Sequence, residues 1–490
     1  MRKIICALFI VASSLAAAAQ QPDAVYKLVR QQWTVNDDGT SDYRYRHEVQ
    51  ILRNRALTAY ADKGETFVVY NPELEEVTVN EVYTLQSDGT RVDMPQNAFI
   101  YQLPSQCASC ARFVHMRELA MVHTGMELGC TVVVDYTVHR RYDMVNETLT
   151  LAKECPVEQW EVSVSLPEGQ ELGVQLNDPE LRPFSHTVGG SATEYTLVAR
   201  NVPQSFDENY MPPAQLLYPT LHFYNGTPAF SPAFNSLGLK ESDNIGNQLC
   251  GGNQRENVLA LRDYVVDNIH LDDIEPARLG YTHATAAEVW QSGCGTATDK
   301  AVLLAAMINQ MGYRARVVGD NFDEVGVMMD TLEYRLNVRE KSPMTLYGKA
   351  EDEVYKVNIE LNNVEPDLDT LEDGFFRLLV PALYDNPLPN ARNLTLVREA
   401  PMQGTPCDIV VDLTYTLPKG MKMVGKTVDV KRDFDGMGSV TLKVKQSGSK
   451  LRVVRTLKLE QAVVPVNDYK FVRKLIALWQ SFEGVLLQEK

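Results

Sequence analysis

The stretch "AAEVWQSGCGTATDKAVLLAAMINQMGYRARVV", residues 286–318, decides the fold of the central part of the chain. From Thr296 onward it has the length of a helix and is apolar on nearly every face, which predicts a helix buried at the centre of a domain. Gly312 stands where helices commonly end in a left-handed residue. The run "YRARVVG" that follows has the β-branched pattern of a strand. We therefore predict a buried central helix that is preceded by a cysteine between two glycines, Cys294.

The neighbouring segments predict a mixed α/β domain around that helix. In "NQRENVLALRDYVVDNI", residues 253–269, the apolar residues recur at helical spacing. The segment "TAAEVWQ", which begins at Thr285, predicts a short helix before the cysteine. The segment "EVYKVNIEL", residues 353–361, predicts a strand that packs on the central helix. We place this core at residues 248–385.

Two β-rich regions flank the core. Residues 21–205 contain runs such as "YRYRHEVQIL" and "CTVVVDYTVHRR", with the turn signals "DDGT" and "SDGT" between such runs, and predict a β-sandwich-like domain. Residues 206–247 are rich in Pro, Asn, Ser and aromatic residues and predict a connector that lies on its neighbours. Residues 386–490 predict a small β-sandwich with a terminal helix, "DYKFVRKLIALWQSF". The predicted fold class is therefore α+β and multidomain.

The N-terminus has the pattern of a secretory signal peptide. Arg2 and Lys3 precede the apolar run "IICALFIVASSLAAAA", and polar residues follow it. We predict that residues 1–20 are removed on export across the inner membrane and that the mature protein is periplasmic or extracellular. The mature chain has no second apolar run of membrane-spanning length. The net charge of −17 argues against nucleic acid and anionic lipid as partners.

Export makes the cysteine count informative, because disulfides persist in oxidising compartments. Seven cysteines remain without Cys6, so at least one stays free or pairs with another chain. The one close pair, Cys107 and Cys110 in "CASC", predicts a local disulfide or two inert thiols. A zinc site would need two further ligands at comparable spacing, and a redox motif would prefer a thioredoxin-like context. The sequence implies neither a metal nor a cofactor.

The central segments resemble the core of the transglutaminase-like superfamily. The resemblance is carried by a helix ending in "YVVDNI" and by residues 286–318, because in that superfamily a glycine and a cysteine open a buried helix and a glycine turn leads to an "AR-V" strand. The order of β-rich domain, core and second β-rich domain is similar to that of secreted bacterial proteins whose first domain is uncharacterised. This resemblance covers nearly all of the mature chain and implies a papain- or transglutaminase-like α+β core.

The resemblance also implies a site. Cys294 stands at the nucleophile position, where a helix N-terminus favours the thiolate. Gly293 and Gly295 would leave backbone N–H groups open to a substrate oxygen, and we expect them and Trp290 to contribute to binding. In the superfamily a histidine on a strand some tens of residues later acts as acid and base, and an aspartate on the next strand orients it.

This chain has no histidine after the cysteine. All eight precede Cys294 (His47, His115, His123, His139, His186, His222, His270 and His283). Where the superfamily places its histidine, the chain reads "DTLEYRLNVRE" and offers Glu333, Tyr334 and Arg335. For the aspartate, Asp352, Asn358 and Glu360 stay open. Losing acid–base help costs about 10²- to 10⁴-fold in rate, or roughly 3 to 5 kcal/mol, which exceeds the roughly 2 kcal/mol that a helix dipole supplies.

Two functions from different classes follow. The favoured one is a non-catalytic binding or scaffold protein that engages a periplasmic peptide, glycan or protein through a transglutaminase-like core with a degenerate site. The alternative is a thiol-dependent peptidase, amidase or acyl transferase that uses Cys294 with a non-standard base, of which His283 is the nearest in sequence.

Overall fold

The computed structural model describes residues 22–63, 66–178, 185–191, 193–226, 246, 248–319, 325–330, 335–341, 355–380, 388–482 and 484–489. The predicted signal peptide, residues 1–20, lies outside the described residues. The described chain has three main apolar cores, one for each predicted region. The helix-containing core lies between two β-rich domains, which confirms the predicted α+β multidomain class.

The N-terminal domain is built on an eight-stranded sheet whose strands β1 and β2 alternate buried and more exposed residues. In spatial order the strands are β12 (Ser185–Gly190), β13 (Glu194–Val202), β10 (Val157–Ser165), β1 (Ala24–Val35), β2 (Ser41–Ile51), β8 (Thr131–Arg140), β4 (Glu75–Leu85) and β5 (Arg91–Asp93). Helix α1 (Asn54–Lys63) follows β2. Burial at every second residue is typical of a strand with one face on a core, which agrees with the predicted sandwich.

Two three-stranded sheets complete this domain. Their strands are β11 (Gly173–Asn177), β14 (Thr220–Tyr224) and β9 (Asn146–Thr150) in one, and β3 (Phe67–Tyr70), β7 (Arg117–Met121) and β6 (Phe99–Gln102) in the other. Strand β14 and the short helix α2 (Ala214–Leu217) lie within the predicted connector. Phe223 of β14 is fully buried, and its ring centroid lies 4.9 Å from that of Trp33. The first part of the connector is thus part of the N-terminal domain.

The central region is organised around the predicted buried helix. Helices α3 (Gln254–Asn268), α4 (Ala286–Ser292) and α5 (Ala297–Gln310) occur where the sequence predicts them. Eight successive residues of α5, 301–308, are at most 3% exposed, because the helix is covered on every side. Strands β15 (His270–Leu271) and β16 (Cys294–Gly295) pair in parallel, and β17 (Ala315–Val318) forms a hairpin with β18 (Gly326–Met329).

The C-terminal domain contains two larger sheets, a small two-stranded pairing and a docked helix. In spatial order, the strands of the first sheet are β19 (Tyr355–Val364), β23 (Cys407–Thr416), β27 (Lys450–Leu459), β26 (Gly438–Ser447) and β25 (Val428–Phe434). Those of the second sheet are β20 (Leu368–Thr370), β21 (Phe375–Leu379), β29 (Gly484–Glu489) and β24 (Met421–Met423). The small pairing joins β22 (Met402–Gln403) to β28 (Val463–Val464). Helix α6 (Tyr469–Gln480) buries Leu475 and Trp479 against this domain, as predicted. None of the described helices is long and apolar enough to cross a membrane.

One predicted strand belongs to a different domain. The segment "EVYKVNIEL" forms most of β19, which pairs in parallel with β23 along its length, and does not pack on α5 as predicted. Asn358 and Glu360, two of the candidates for an orienting aspartate, therefore lie in the C-terminal sheet, and Asp352 lies outside the described residues. An alternating pattern identifies a strand but does not identify its partner.

Buried ion pairs fix the N-terminal domain to the core. Glu75 Oε1 lies 3.0 Å from Arg278 Nη1 and 3.5 Å from Arg140 Nε, and all three side chains are at most 8% exposed. Tyr142 donates a hydrogen bond to the carbonyl of Ala277. Removing one partner from such a set leaves a buried uncompensated charge, which costs about 3 to 5 kcal/mol. These contacts position the 3₁₀ helix Pro276–Leu279, which lies beside the site described next.

Candidate functional site

Cys294 lies in the predicted place, directly before the buried helix. The β15–β16 pairing holds it, because the Asp272 amide donates to the Gly295 carbonyl at 3.0 Å on the parallel bridge. Gly293 ends α4 with φ of 66°, a left-handed conformation that favours glycine. Gly295 is required by space, since a Cβ there would lie 2.7 Å from Cβ of Asp299. Both glycines therefore have structural reasons to occupy these positions.

The sulfur of Cys294 is bonded to Cys110 of the N-terminal domain. The two Cα atoms are 6.0 Å apart, and both residues are at most 2% exposed. Cys107 is a free, fully buried thiol. The prediction that "CASC" forms a local disulfide or two inert thiols is therefore wrong, because folding brings a cysteine 184 residues away against Cys110. The nucleophile position of the core is covalently occupied by the neighbouring domain.

Asp272 is the charged group that faces this disulfide. Its carboxylate and the sulfurs of Cys110 and Cys294 lie within 4.8 Å of one another, and the residue is 1% exposed. Neither carboxylate oxygen has a hydrogen bond of normal geometry among the described residues, and His270 Nε2 is 3.8 Å away. Burial raises the pKa of Asp272, and the nearby His270, Arg112 and Ser109 offset only part of this effect. With the sulfurs bonded to each other, these three groups offer a metal one carboxylate and no thiolate.

Asp299 organises the start of the central helix. Its Oδ1 accepts from the Ala284 amide at 2.7 Å, and its Oδ2 accepts from the Thr296 amide at 3.0 Å and from Arg112 Nη1 at 3.1 Å. Thr296 and Asp299 form a capping box at the N-terminus of α5. Arg112 also donates to the Cys294 carbonyl at 3.4 Å. One carboxylate thus joins α4, α5 and the N-terminal domain.

Asp299 is paired with Arg112, so Asp272 is the carboxylate that opposes a thiolate at Cys294. A unit charge on its sulfur at 4.8 Å from the ionised Asp272 carboxylate would be repelled by about 3 kcal/mol at an effective dielectric constant of about 20. A helix N-terminus offers at most roughly 2 kcal/mol in return, and here the capping box already uses the N–H groups of Thr296 and Asp299. The surroundings of Cys294 therefore favour the bonded sulfur over the ionised one.

The histidine candidates lie elsewhere. His283 precedes α4, and its ring Nδ1–H donates to the Ala284 carbonyl at 3.0 Å, so the ring is held by backbone. The strand that follows β17 is β18, "GVMM", and the stretch expected to carry the superfamily's histidine begins only at its end. Glu333 and Tyr334 of that stretch lie outside the described residues. Among the hydrogen bonds of the described chain, none joins a histidine ring to the sulfur of Cys294.

Trp290 and an adjacent pocket complete the site. The indole of Trp290 stacks on Tyr264 at a centroid distance of 6.1 Å and packs on the core, so its binding role stays a prediction. A small pocket with a volume of about 10 Å³, which is room for roughly one water molecule, lies at the start of α5. Its lining includes Asp272, Asp273, Thr296 and Arg339, and Asp273 pairs with Arg339 at 2.9 Å. The pocket therefore presents both signs of charge.

Some residues of this site can be recognised from the sequence and others cannot. The cap of α5 is visible in "TATD", a threonine followed three residues later by an acid. No sequence pattern indicates Asp272 or Arg112 as a residue of the site. Asp272 is placed near the sulfur by the two-residue pairing of β15 with β16, and Arg112 comes from a different domain.

Comparison with known families identifies all three regions. Residues 37–205 match DUF3857, described as a domain of unknown function with a solved structure, and residues 378–484 match DUF3858, described in the same words. Residues 245–341 match the core of the transglutaminase-like superfamily. This is the predicted order of a β-rich domain, a transglutaminase-like core and a second β-rich domain. No curated protein matches the chain.

A crystal structure from Parabacteroides distasonis, described as a "putative protease", shares the whole architecture. It is 26% identical, the match covers 95% of this chain and 99% of that one, and the TM-score is 0.75. An M1 zinc metallopeptidase from Deinococcus radiodurans also matches, at 9% identity over 59% of this chain and 63% of its own. Its TM-score of 0.19 is too low to support any argument.

Proposed function

Because residues 245–341 belong to the transglutaminase-like superfamily, we propose that this chain is a non-catalytic binding protein built on that core. The Cys110–Cys294 bond carries the proposal, since it occupies the sulfur that the superfamily uses as its nucleophile. Two further observations support it. No histidine follows His283 in the sequence, and Asp272 lies where a thiolate would need a cation.

We also propose that the protein is exported by a bacterium and works in the periplasm or outside the cell. The N-terminal pattern "MRKIICALFIVASSLAAAA" supports export. The interdomain disulfide supports an oxidising compartment, because cytosolic thiols are kept reduced.

Of the three partner classes that the sequence left open, the charged surface around the small pocket at the start of α5 favours a peptide or a segment of a protein. Asp273 and Arg339 are its exposed charged residues, and Thr282, Thr296 and Thr298 are also part of the pocket lining. A peptide carries an ammonium, a carboxylate and amide groups that match this mixture, whereas a neutral glycan offers only hydroxyl and acetamido groups.

A thiol-dependent peptidase, amidase or acyl transferase is the second candidate. It is favoured by the 26% identity to the Parabacteroides protein described as a protease. This function requires the Cys110–Cys294 bond to be reduced and a base such as His283 to reach the sulfur.

One experiment separates the two candidates. The mature chain is incubated with and without dithiothreitol, with a glutamine-containing peptide and an amine probe, and hydrolysis and transfer are followed by mass spectrometry. We expect no turnover in either redox state and no difference from Cys294→Ser. Turnover that appears on reduction and is lost in Cys294→Ser would establish the enzyme and overturn the binding proposal.

The binding proposal is tested by isothermal titration calorimetry, which measures the affinity of the mature chain for trialanine and for an N-acetylglucosamine trimer. We expect trialanine to bind and Arg339→Ala to weaken it by up to about fivefold, because an ion pair with a partly exposed guanidinium is worth up to about 1 kcal/mol. Lys341→Ala is the matched control, since Lys341 pairs with Asp267 and does not line the pocket. Binding of the trimer without trialanine would contradict the peptide assignment.

A further inference from the structure

A third sulfur lies beside the Cys110–Cys294 bond. Cys107 is fully buried in the same small apolar cluster as Cys110, Cys294 and Ile274. It is a free thiol. The cluster therefore holds one disulfide and one thiol out of contact with solvent.

The backbone allows Cys110 a second partner. Cys107 and Cys110 are three residues apart around a turn at Ala108 and Ser109. The end residues of a four-residue turn have Cα atoms less than about 7 Å apart, which overlaps the range of about 4.4 to 6.8 Å found in disulfides. Cys110 can thus bond either to Cys294 in the core or to Cys107 in its own turn.

The cluster also contains a group that can move a proton. Burial raises the pKa of Cys107 to about 11, so it is protonated at neutral pH and needs a base before it can attack. The Asp272 carboxylate acts electrostatically on Cys107 and lies within 4.8 Å of the other two sulfurs. The Ser109 hydroxyl acts on its oxygens only from beyond normal hydrogen-bond geometry, and none of the described residues bonds them at normal geometry, so they can accept a proton.

We propose that Cys107, Cys110 and Cys294 form a thiol–disulfide exchange site in which Asp272 carries the proton. The Cys107 sulfur attacks Sγ of Cys110, the Cys107–Cys110 bond forms, and the Cys110–Cys294 bond breaks. The electron pair of the broken bond stays on Cys294, which takes the proton that Asp272 received from Cys107. One thiol and one disulfide are present before and after, so no outside oxidant or reductant takes part.

The exchange changes what joins the two domains. In the exchanged isomer Cys294 is a thiol, and the N-terminal domain is held to the core only by non-covalent contacts such as the Arg112–Asp299 ion pair. This inference rests on the same disulfide as the proposed function, but it concerns whether that disulfide can move. The two proposals therefore fail in different experiments.

Tryptic peptides distinguish the isomers directly. Residues 92–112 carry both Cys107 and Cys110, and residues 279–300 carry Cys294. Non-reducing digestion of the isomer in the structure gives these peptides cross-linked. Exchange in the presence of iodoacetamide gives residues 92–112 with an internal disulfide and residues 279–300 with alkylated Cys294. Simple reduction would instead alkylate all three cysteines.

We expect this product to accumulate with time in the wild-type chain at pH 8 and in Cys130→Ser, a control at another fully buried free thiol. It should be absent in Cys107→Ser. Asp272→Asn should slow it about tenfold or more, because a positioned base contributes at least that much. Circular dichroism and the retained cross-link in Cys107→Ser verify that the variant folds.

Two results would overturn the exchange site. One is equal alkylation of Cys294 in the wild type and in Cys107→Ser, and the other is a wild-type chain that yields only the cross-linked peptides. Either leaves the proposed binding function intact, since that proposal fails only if the reduced chain shows turnover that needs Cys294.

Discussion

Replacing Cys110 by serine should strongly destabilise the contact between the N-terminal domain and the core. The disulfide closes a loop of 184 residues, which spans much of the first domain and the start of the second. For a loop of this length, the restriction of the unfolded chain corresponds to about 5 kcal/mol at 25 °C. We therefore expect Cys110→Ser to lower the free energy of unfolding by up to about 5 kcal/mol.

Urea unfolding followed by tryptophan fluorescence measures this loss. Trp33 reports on the N-terminal sheet and Trp290 on the core, so both sides of the disulfide contribute to the signal. Dithiothreitol should shift the wild-type transition to lower urea by the same amount as the substitution and should leave Cys110→Ser unchanged. Cys407→Ser, at a buried free thiol of the C-terminal domain, gives the cost of burying a hydroxyl alone.

A wild-type transition that does not respond to dithiothreitol would contradict this expectation. A Cys110→Ser loss no larger than that of Cys407→Ser would contradict it equally. In either case the bond between the domains would not constrain the unfolded chain, and the Glu75–Arg278 ion pair and its neighbours would be the dominant connection.

Three further substitutions test the site. Asp299→Asn should cost about 3 to 5 kcal/mol in urea unfolding, because it leaves Arg112 without its partner and weakens the helix cap; a loss under 1 kcal/mol contradicts this. Gly295→Ala should cost about 1 to 3 kcal/mol because its Cβ would lie 2.7 Å from Cβ of Asp299, and wild-type stability would disprove the clash. Burial lowers the pKa of Lys300 to about 8. Between pH 8 and about 10.4 the unfolded chain therefore binds this proton more readily than the folded chain, so the free energy of unfolding should rise with pH in that range. Urea unfolding of Lys300→Met should lack this rise.

The architecture and the position of the cysteine were predictable from the sequence because they depend on local pattern. The buried helix, its glycine C-terminus at Gly312 and the capping pair Thr296 and Asp299 are all written within one stretch of residues. The terminal helix likewise shows its apolar face through Leu475 and Trp479. In each case the sequence period matches the period of the element.

What the sequence did not reveal depends on contacts between distant residues. The spacing of Cys107 and Cys110 suggested a local pair, whereas folding places Cys294 against Cys110. Asp272 and Arg112 reach the site from opposite sides, one through a parallel bridge and one from another domain. The pattern of β19 fits any sheet, so its position in the sequence predicts that it belongs to the core, whereas its parallel partner β23 begins more than 40 residues further along the chain.

The chemistry of a cysteine at a helix N-terminus depends on what else occupies that terminus. An open first turn would offer its N–H groups and dipole to a thiolate. Here Asp299 accepts the Thr296 amide, and Asp272 adds a second carboxylate beside the sulfur. Asp299 is paired with Arg112, so it is Asp272 that penalises the ionised sulfur, whereas a disulfide is neutral and is not opposed. The same helix start that would activate a nucleophile in other surroundings therefore stabilises Cys294 in its bonded form, and Asp272 is left available to accept a proton from the one neighbouring thiol, Cys107.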